Sequence, residues 1–177
     1  MKISLMTIWH CGNYGAEMQT YATVKALRKL RHDVEVLDFR LFESNHSLRS
    51  IVGRFLNAIT PAQRTFEKFW KKYIKNISCH YHNVAELRNN PPKSDVYLVG
   101  SDQVWNEDIT GDRSAAYLLD FGGENVKRIS YASSIGVSEW NFSQSYTEMA
   151  SKQFKKFVAL SCREITGANV SVSYTHL

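Results

Sequence analysis

The sequence is poor in cysteine. Its 177 residues hold three, Cys11, Cys79 and Cys162, far apart and odd in number. That excludes a disulfide-stapled scaffold, and the lack of any Cys-x-x-Cys pair removes the usual zinc signature. Three prolines and nine glycines are too few for a collagen-like or low-complexity chain. No apolar run approaches the roughly 20 residues of a membrane-crossing helix, so no integral membrane segment is expected. Residues 1–10 carry one lysine and lack the long apolar region and small-residue cleavage site of a secretory leader. A cytoplasmic location is therefore the expectation. Neither sign of charge dominates: 22 Lys and Arg against 17 Asp and Glu leave a net charge of +5. Such an excess suits an anionic small substrate or an acidic partner and is too small to argue for nucleic acid. What is present is ordinary: 44% hydrophobic and 22% charged residues, in one domain's length of chain.

Residues 2–8 read as a strand, followed by the glycine-punctuated loop 9–15. From Ala16 to about residue 31, Thr20, Val24, Leu27 and Leu30 recur at helical spacing, and residues 34–38 form a second strand. Strand, loop, helix and strand within about forty residues make a βαβ unit with parallel strands. Residues 39–60 are less regular, and Thr60-Pro61 looks like a helix start. Phe66, Phe69, Trp70, Tyr73, Ile74 and Ile77 predict one aromatic-rich helix, with Lys68, Lys71, Lys72 and Lys75 on its solvated face. Asn83 is placed to cap a short helix over 84–89 that Pro91-Pro92 ends. Residues 95–100 predict a buried strand, 108–114 a turn, 117–121 a short extended piece and 128–133 a strand. A helix over 143–156, a strand over 157–161 and a helix start at Arg163-Glu164 complete the pattern. The alternation predicts a Rossmann-like, doubly wound α/β sheet, with ligands beyond the carboxyl ends of its strands.

Four loops at that edge carry the chemistry. Gly12, Asn13, Tyr14 and Gly15 sit between a strand and a helix, where free amides and a helix dipole suit an anion; a tight turn accounts for the glycines equally well. Gly100, Ser101, Asp102, Gln103 and Trp105 place small, acidic and amide groups beside an aromatic that reads as exposed. That mixture suits a sugar, whose hydroxyls meet the polar groups and whose apolar face meets the ring. An Asp cap and a core Trp are the plainer account. Ser133, in the run 130–136, and Arg163, after the last strand, offer a hydroxyl and a two-pronged cation. A satisfied strand end and an Arg–Glu surface pair explain these without a ligand. Cys79, His80 and His82 have metal-capable side chains but no second cluster at ligand spacing, so no metal is expected.

Taken together, the stretches 12–16, 19–22, 36–40, 99–106, 117–121, 129–136 and 161–164 with Gly167 resemble the polysaccharide pyruvyl transferase family in order and spacing. The resemblance implies the N-terminal half of a two-domain, GT-B-like enzyme. It implies transfer of the pyruvyl group of phosphoenolpyruvate to a sugar of a surface polysaccharide, with phosphoenolpyruvate as donor substrate and no further cofactor. Its partners would be that donor and a glycan or lipid-linked sugar acceptor, with peripheral association at a membrane glycan assembly. By the same resemblance Arg163 would help bind the donor, while the Gly12–Gly15 and Gly100–Trp105 loops would line the acceptor cleft. Some relatives carry an acidic residue where this chain has Ala16. The family's basic Arg–His motif has no counterpart here, and residues 172–177 do not resemble its continuation. The expectation is an N-terminal domain over 1–171, a non-native tail over 172–177, an absent C-terminal domain, an inactive fragment and an exposed apolar interdomain face. A nucleotide-sugar glycosyltransferase of the same architecture and a non-catalytic glycan-binding module are the alternatives.

Overall fold

The structure, a computed structural model, describes residues 1–41 and 61–165 together with Gly167 and Asn169. Six strands form one parallel sheet: β1 (Lys2–Met6), β2 (Asp33–Phe39), β3 (Ile77–Tyr81), β4 (Val96–Asp102), β5 (Lys127–Ser133) and β6 (Phe157–Ala159). Their spatial order is β3-β2-β1-β4-β5-β6, the doubly wound Rossmann order, which reverses direction between β1 and β4. Register runs Ile3 beside Val34 on one flank of β1 and beside Val96 on the other.

Side-chain alternation along the strands divides the core into two layers. Ile3, Leu5, Val34, Val36, Val96 and Leu98 meet α1 (Tyr14–Lys29) and α2 (Pro61–Phe69) through Val24, Phe66 and Trp70. On the other face Met6, Phe39, Tyr97 and Val99 meet α3 (Val84–Asn89), α5 (Ser114–Tyr117) and α6 (Gln144–Phe154). Between β4 and α5 lie α4 (Glu107–Thr110) and the 3-10 turn Gly111–Arg113. Asn83 caps α3 as expected, and Asn13 and Ser143 likewise accept backbone N–H bonds at the starts of α1 and α6.

Three expected elements are corrected. The turn expected over 108–114 is helical, holding most of α4, the 3-10 turn Gly111–Arg113 and the start of α5. The aromatic stripe is not one helix to Ile77. α2 widens into a π-helical segment, Trp70–Ile74, and stops at Lys75, whose φ is +65°. Ile77 begins β3, entered through Asn76, whose carbonyl accepts the Val36 amide at 3.0 Å and whose side chain donates to the Val34 carbonyl at 3.2 Å. The run 117–121 is not extended. α5 ends at Tyr117, Leu119 has φ +56°, and Leu118 and Leu119 are buried. Arg128 explains that turn. Its buried guanidinium donates to the carbonyls of Leu119 at 3.0 Å, Phe121 at 2.7 Å and Val126 at 3.0 Å, gathering the loop around one cation. The irregular stretch from Phe42 to Thr60 and the tail 172–177 lie outside the described residues. Among the described residues, no helix is long and apolar enough to cross a membrane.

Candidate functional site

The carboxyl edge at the β1/β4 reversal is where a doubly wound sheet opens a crevice, and the four loops meet along it as one rim. Thr7, just past β1, donates to the Ser101 carbonyl at 3.4 Å. The β4 and β5 loops exchange bonds, Ser134 N to the Asp102 carbonyl at 2.9 Å and Trp105 N to the Ser134 carbonyl at 3.1 Å. The loop after β6 joins through Arg163 N to the Ser133 carbonyl at 2.9 Å and a bridge between Ser133 and Cys162. Four non-glycine residues on this rim have positive φ: His10 (+59°), Ser101 (+41°), Asp102 (+157°) and Ala132 (+50°). Such backbone is costly and concentrates where a fold positions ligand-facing groups.

Gly12, Asn13, Tyr14 and Gly15 are exposed at the start of α1. Gly12 has φ +73° and open space around it, which suits a turn without a side chain. The Asn13 side chain accepts from Gly15 N at 2.8 Å and Ala16 N at 3.4 Å, so these helix-end amides are capped internally. Behind the loop, Glu17 is 1% exposed and accepts the Trp70 indole N–H at 2.6 Å. Burial pushes the Glu17 carboxyl above its ordinary range; the Trp70 bond and the backbone amides of Cys11, His10 and Gly12 pull it back. Its Oε1 makes no hydrogen bond of standard geometry.

Ser101, Asp102 and Gln103 are half-buried on the rim, and Asp102 accepts the Gln103 amide at 2.8 Å. Gly100 is buried because β5 runs close by: a Cβ there would overlap the Tyr131 carbonyl oxygen. The expected exposed aromatic is corrected. Trp105 is 0% exposed, its ring packed edge-on against Phe154 at 4.7 Å, so no face is offered to a sugar. Ser133 is also fully buried and donates to the Val99 carbonyl at 3.3 Å. Arg163 is exposed; it donates to Ser134 Oγ at 3.2 Å and pairs with Glu164 at 3.3 Å.

The structure adds residues that the loops alone did not announce. Gln19, one turn into α1, donates to Thr7 Oγ1 at 2.8 Å and the Ile8 carbonyl at 3.2 Å, tying helix to strand end. Tyr117 is fully buried, its hydroxyl lacks a hydrogen-bond partner, and burial raises its pKa against the pull of Arg113. Cys11 and Asp102 also bear on that hydroxyl electrostatically and raise its pKa further. Burial pushes the Cys11 thiol up, and the Glu17 and Asp102 carboxylates add to it, so Cys11 stays a thiol near neutrality. At the end of β2, Arg40 grips Asp38 with two bonds of 2.9 and 3.1 Å while His80 Nδ1 lies 3.2 Å away. Burial, then Arg40, lower the pKa of the neighbouring His10. The signal for Gln19 was a polar residue on the strand-facing side of an amphipathic helix. Tyr117 lies in one of the family-like stretches, but its burial depends on the α5 turn, which the local sequence does not fix.

The rim therefore presents carboxylate, amide, hydroxyl and guanidinium groups on strained backbone. It can hold a polyhydroxylated ligand by hydrogen bonds and an anion through Arg163. Residues 13–174 match the family model described as polysaccharide pyruvyl transferase. No curated protein and no solved structure gives a match.

Proposed function

The chain belongs to the polysaccharide pyruvyl transferase family, and from that premise we propose that it acts in moving the pyruvyl group of phosphoenolpyruvate onto a sugar hydroxyl of a surface polysaccharide. The family match over most of the chain carries the reading. In ketal formation C3 of the donor takes a proton, and C2 is attacked by one sugar hydroxyl, which gives up its own proton. A second hydroxyl then displaces inorganic phosphate from C2. Donor and acceptor alone balance this reaction, with phosphoenolpyruvate as a substrate.

On this reading the rim is the acceptor side. Ser101, Asp102 and Gln103 bond sugar hydroxyls, with the exposed Gly12–Gly15 turn and Tyr14 beside them. Gly100, Trp105 and Ser133 act from below by fixing the β4 and β5 loops. Arg163 is the rim's cation for the donor's carboxylate or phosphate, exchanging Glu164 for the ligand. A second α/β domain of GT-B type faces the rim and supplies further cations, because developing charge on carboxylate and phosphate calls for several fixed positive groups.

An acceptor titration followed by backbone amide NMR tests the assignment. A pyruvylatable oligosaccharide is expected to shift the amides of Gly12, Ser101, Asp102 and Gln103, and Asp102→Asn is expected to weaken binding about tenfold, the value of one lost charge-assisted hydrogen bond. Shifts confined to other edges of the sheet would refute it.

A further inference from the structure

Charge on this protein is not spread evenly. α1, α2, the π-helical segment and the capping Lys75 hold eight of the 22 Lys and Arg and two of the 17 Asp and Glu. That layer is +6 and the remainder of the chain is −1, so the whole positive excess sits on one face of the sheet. Of its two acids Glu17 is buried, leaving Glu67 as the layer's exposed carboxylate.

Between the two helices runs a groove of about 300 Å³, lined by Tyr21, Val24, Lys25, Lys72, Tyr73 and Lys75, with Arg28 at its floor and no acidic residue. Arg28 is committed to the protein: it donates to the carbonyls of Ile74 at 2.5 Å, Tyr73 at 3.3 Å and Val34 at 3.4 Å, fixing the turn that forms one wall. The lysines are exposed, Lys25 lying 5.5 Å over the Tyr21 ring and Lys72 4.9 Å over Tyr73. Tyr21 makes T-shaped contacts with Phe69 at 5.5 Å and Tyr73 at 5.6 Å, which fix its ring between the two helices. Tyr73 is 40% exposed, and Met18, one turn earlier on the α1 face that bears Tyr21 and Lys25, is 51% exposed.

We propose that this face docks on an anionic phospholipid surface, with lipid phosphates in the groove among Lys25, Lys72 and Lys75. Three observations select a bilayer over a soluble ligand or a nucleic acid. The cations are spread along two helices rather than converging on one point. They are mostly lysines, point charges that need no bidentate geometry. The aromatics are tyrosines with polar tips beside an exposed methionine, a composition fitted to the headgroup level. The groove lies by the last turns of α1, at the amino end of the strands, so docking leaves the carboxyl-edge rim clear. The inference stands on charge and shape and does not depend on the transferase reading.

Vesicle flotation of the full chain tests it, with phosphatidylglycerol–phosphatidylcholine vesicles against phosphatidylcholine alone. Binding is expected to the anionic vesicles only and to fall with added salt as screening shortens. The triple variant Lys25→Gln, Lys72→Gln, Lys75→Gln is expected to lower partitioning roughly 100-fold, about fivefold per lysine at a surface. A control triple on the opposite layer, Lys152→Gln, Lys155→Gln, Lys156→Gln, removes the same net charge and is expected to change it little. Lys72→Glu, a single exposed change, gives the same readout should the groove triple fold poorly. Equal loss from both triples would overturn the proposal, as would no preference for anionic vesicles. So would full displacement by millimolar pyrophosphate, which would mark a soluble-phosphate site, or tighter binding to duplex DNA.

Discussion

Removing the Glu17 carboxylate should loosen the turn that starts the candidate site. Glu17 joins three elements from the first turn of α1: its Oε2 accepts the buried Trp70 indole, and the amides of the 10–12 loop act on it electrostatically. Glu17→Ala leaves the Trp70 N–H, in a residue only 5% exposed, without its partner. One orphaned buried donor costs about 1–3 kcal/mol, and the cavity left by the side chain adds to that, so about 3 kcal/mol is expected. For a chain of this size that lowers Tm by roughly 6–12 °C, at about 2–4 °C per kcal/mol. Glu17→Gln keeps an acceptor for Trp70 and should recover about half of the loss. The two differ in pH dependence. Burial holds the Glu17 carboxyl above its unfolded value, so between the two values the native state binds the extra proton. Wild-type stability therefore falls as pH rises through that window, and Glu17→Gln removes this fall. Thermal melts and urea titrations from pH 4 to pH 8 measure both effects. An alanine variant within about 0.5 kcal/mol of wild type, the range of an ordinary surface change, would refute the reasoning.

Further outcomes follow from other knots in the fold. Arg128→Met strips the cation from the carbonyls of Leu119 and Phe121, both buried acceptors; a loss of about 4 kcal/mol is expected in urea unfolding, with Arg128→Lys losing less. Gly100→Ala drives a Cβ into the Tyr131 carbonyl, so about 1–3 kcal/mol of overpacking is expected, together with shifted amide resonances at Asp102 and Ser133. Burial raises the Asp38 pKa, but its bonds to Arg40 and the charges of Arg40 and His80 outweigh it and leave the net value below normal. Asp38 therefore contributes stability that is present above its unfolded pKa and lost as pH falls through the folded one. Asp38→Asn should flatten that acid limb in pH-dependent melts.

The doubly wound sheet was legible because it rests on local signals: apolar runs for the buried strands, Asn83 as a cap, and glycine at the first turn. The errors arose where tertiary contacts chose between equal local options. Phe66 to Ile77 has helical periodicity throughout, yet Asn76 pairs with the first half of β2, Lys75 turns left-handed and Ile77 joins the sheet. Residues 117–121 are apolar enough for strand or helix, and Arg128 decides by drawing their carbonyls together. In the candidate site the loops were legible as polar breaks after strands. Which side chains face solvent was not: Arg163 is exposed and Asp102 half-buried, while Trp105 and Ser133 are sealed beneath by α6 and β4.

The central claim is pyruvyl transfer, and the most direct measurement feeds the full gene product carbon-labelled phosphoenolpyruvate together with a polysaccharide repeat-unit acceptor. The account predicts release of inorganic phosphate only when the acceptor is present, recovery of the label in the glycan as a ketal, and both lowered about tenfold at limiting acceptor in Asp102→Asn. Sugar transfer from a nucleotide sugar with no turnover of phosphoenolpyruvate would contradict it.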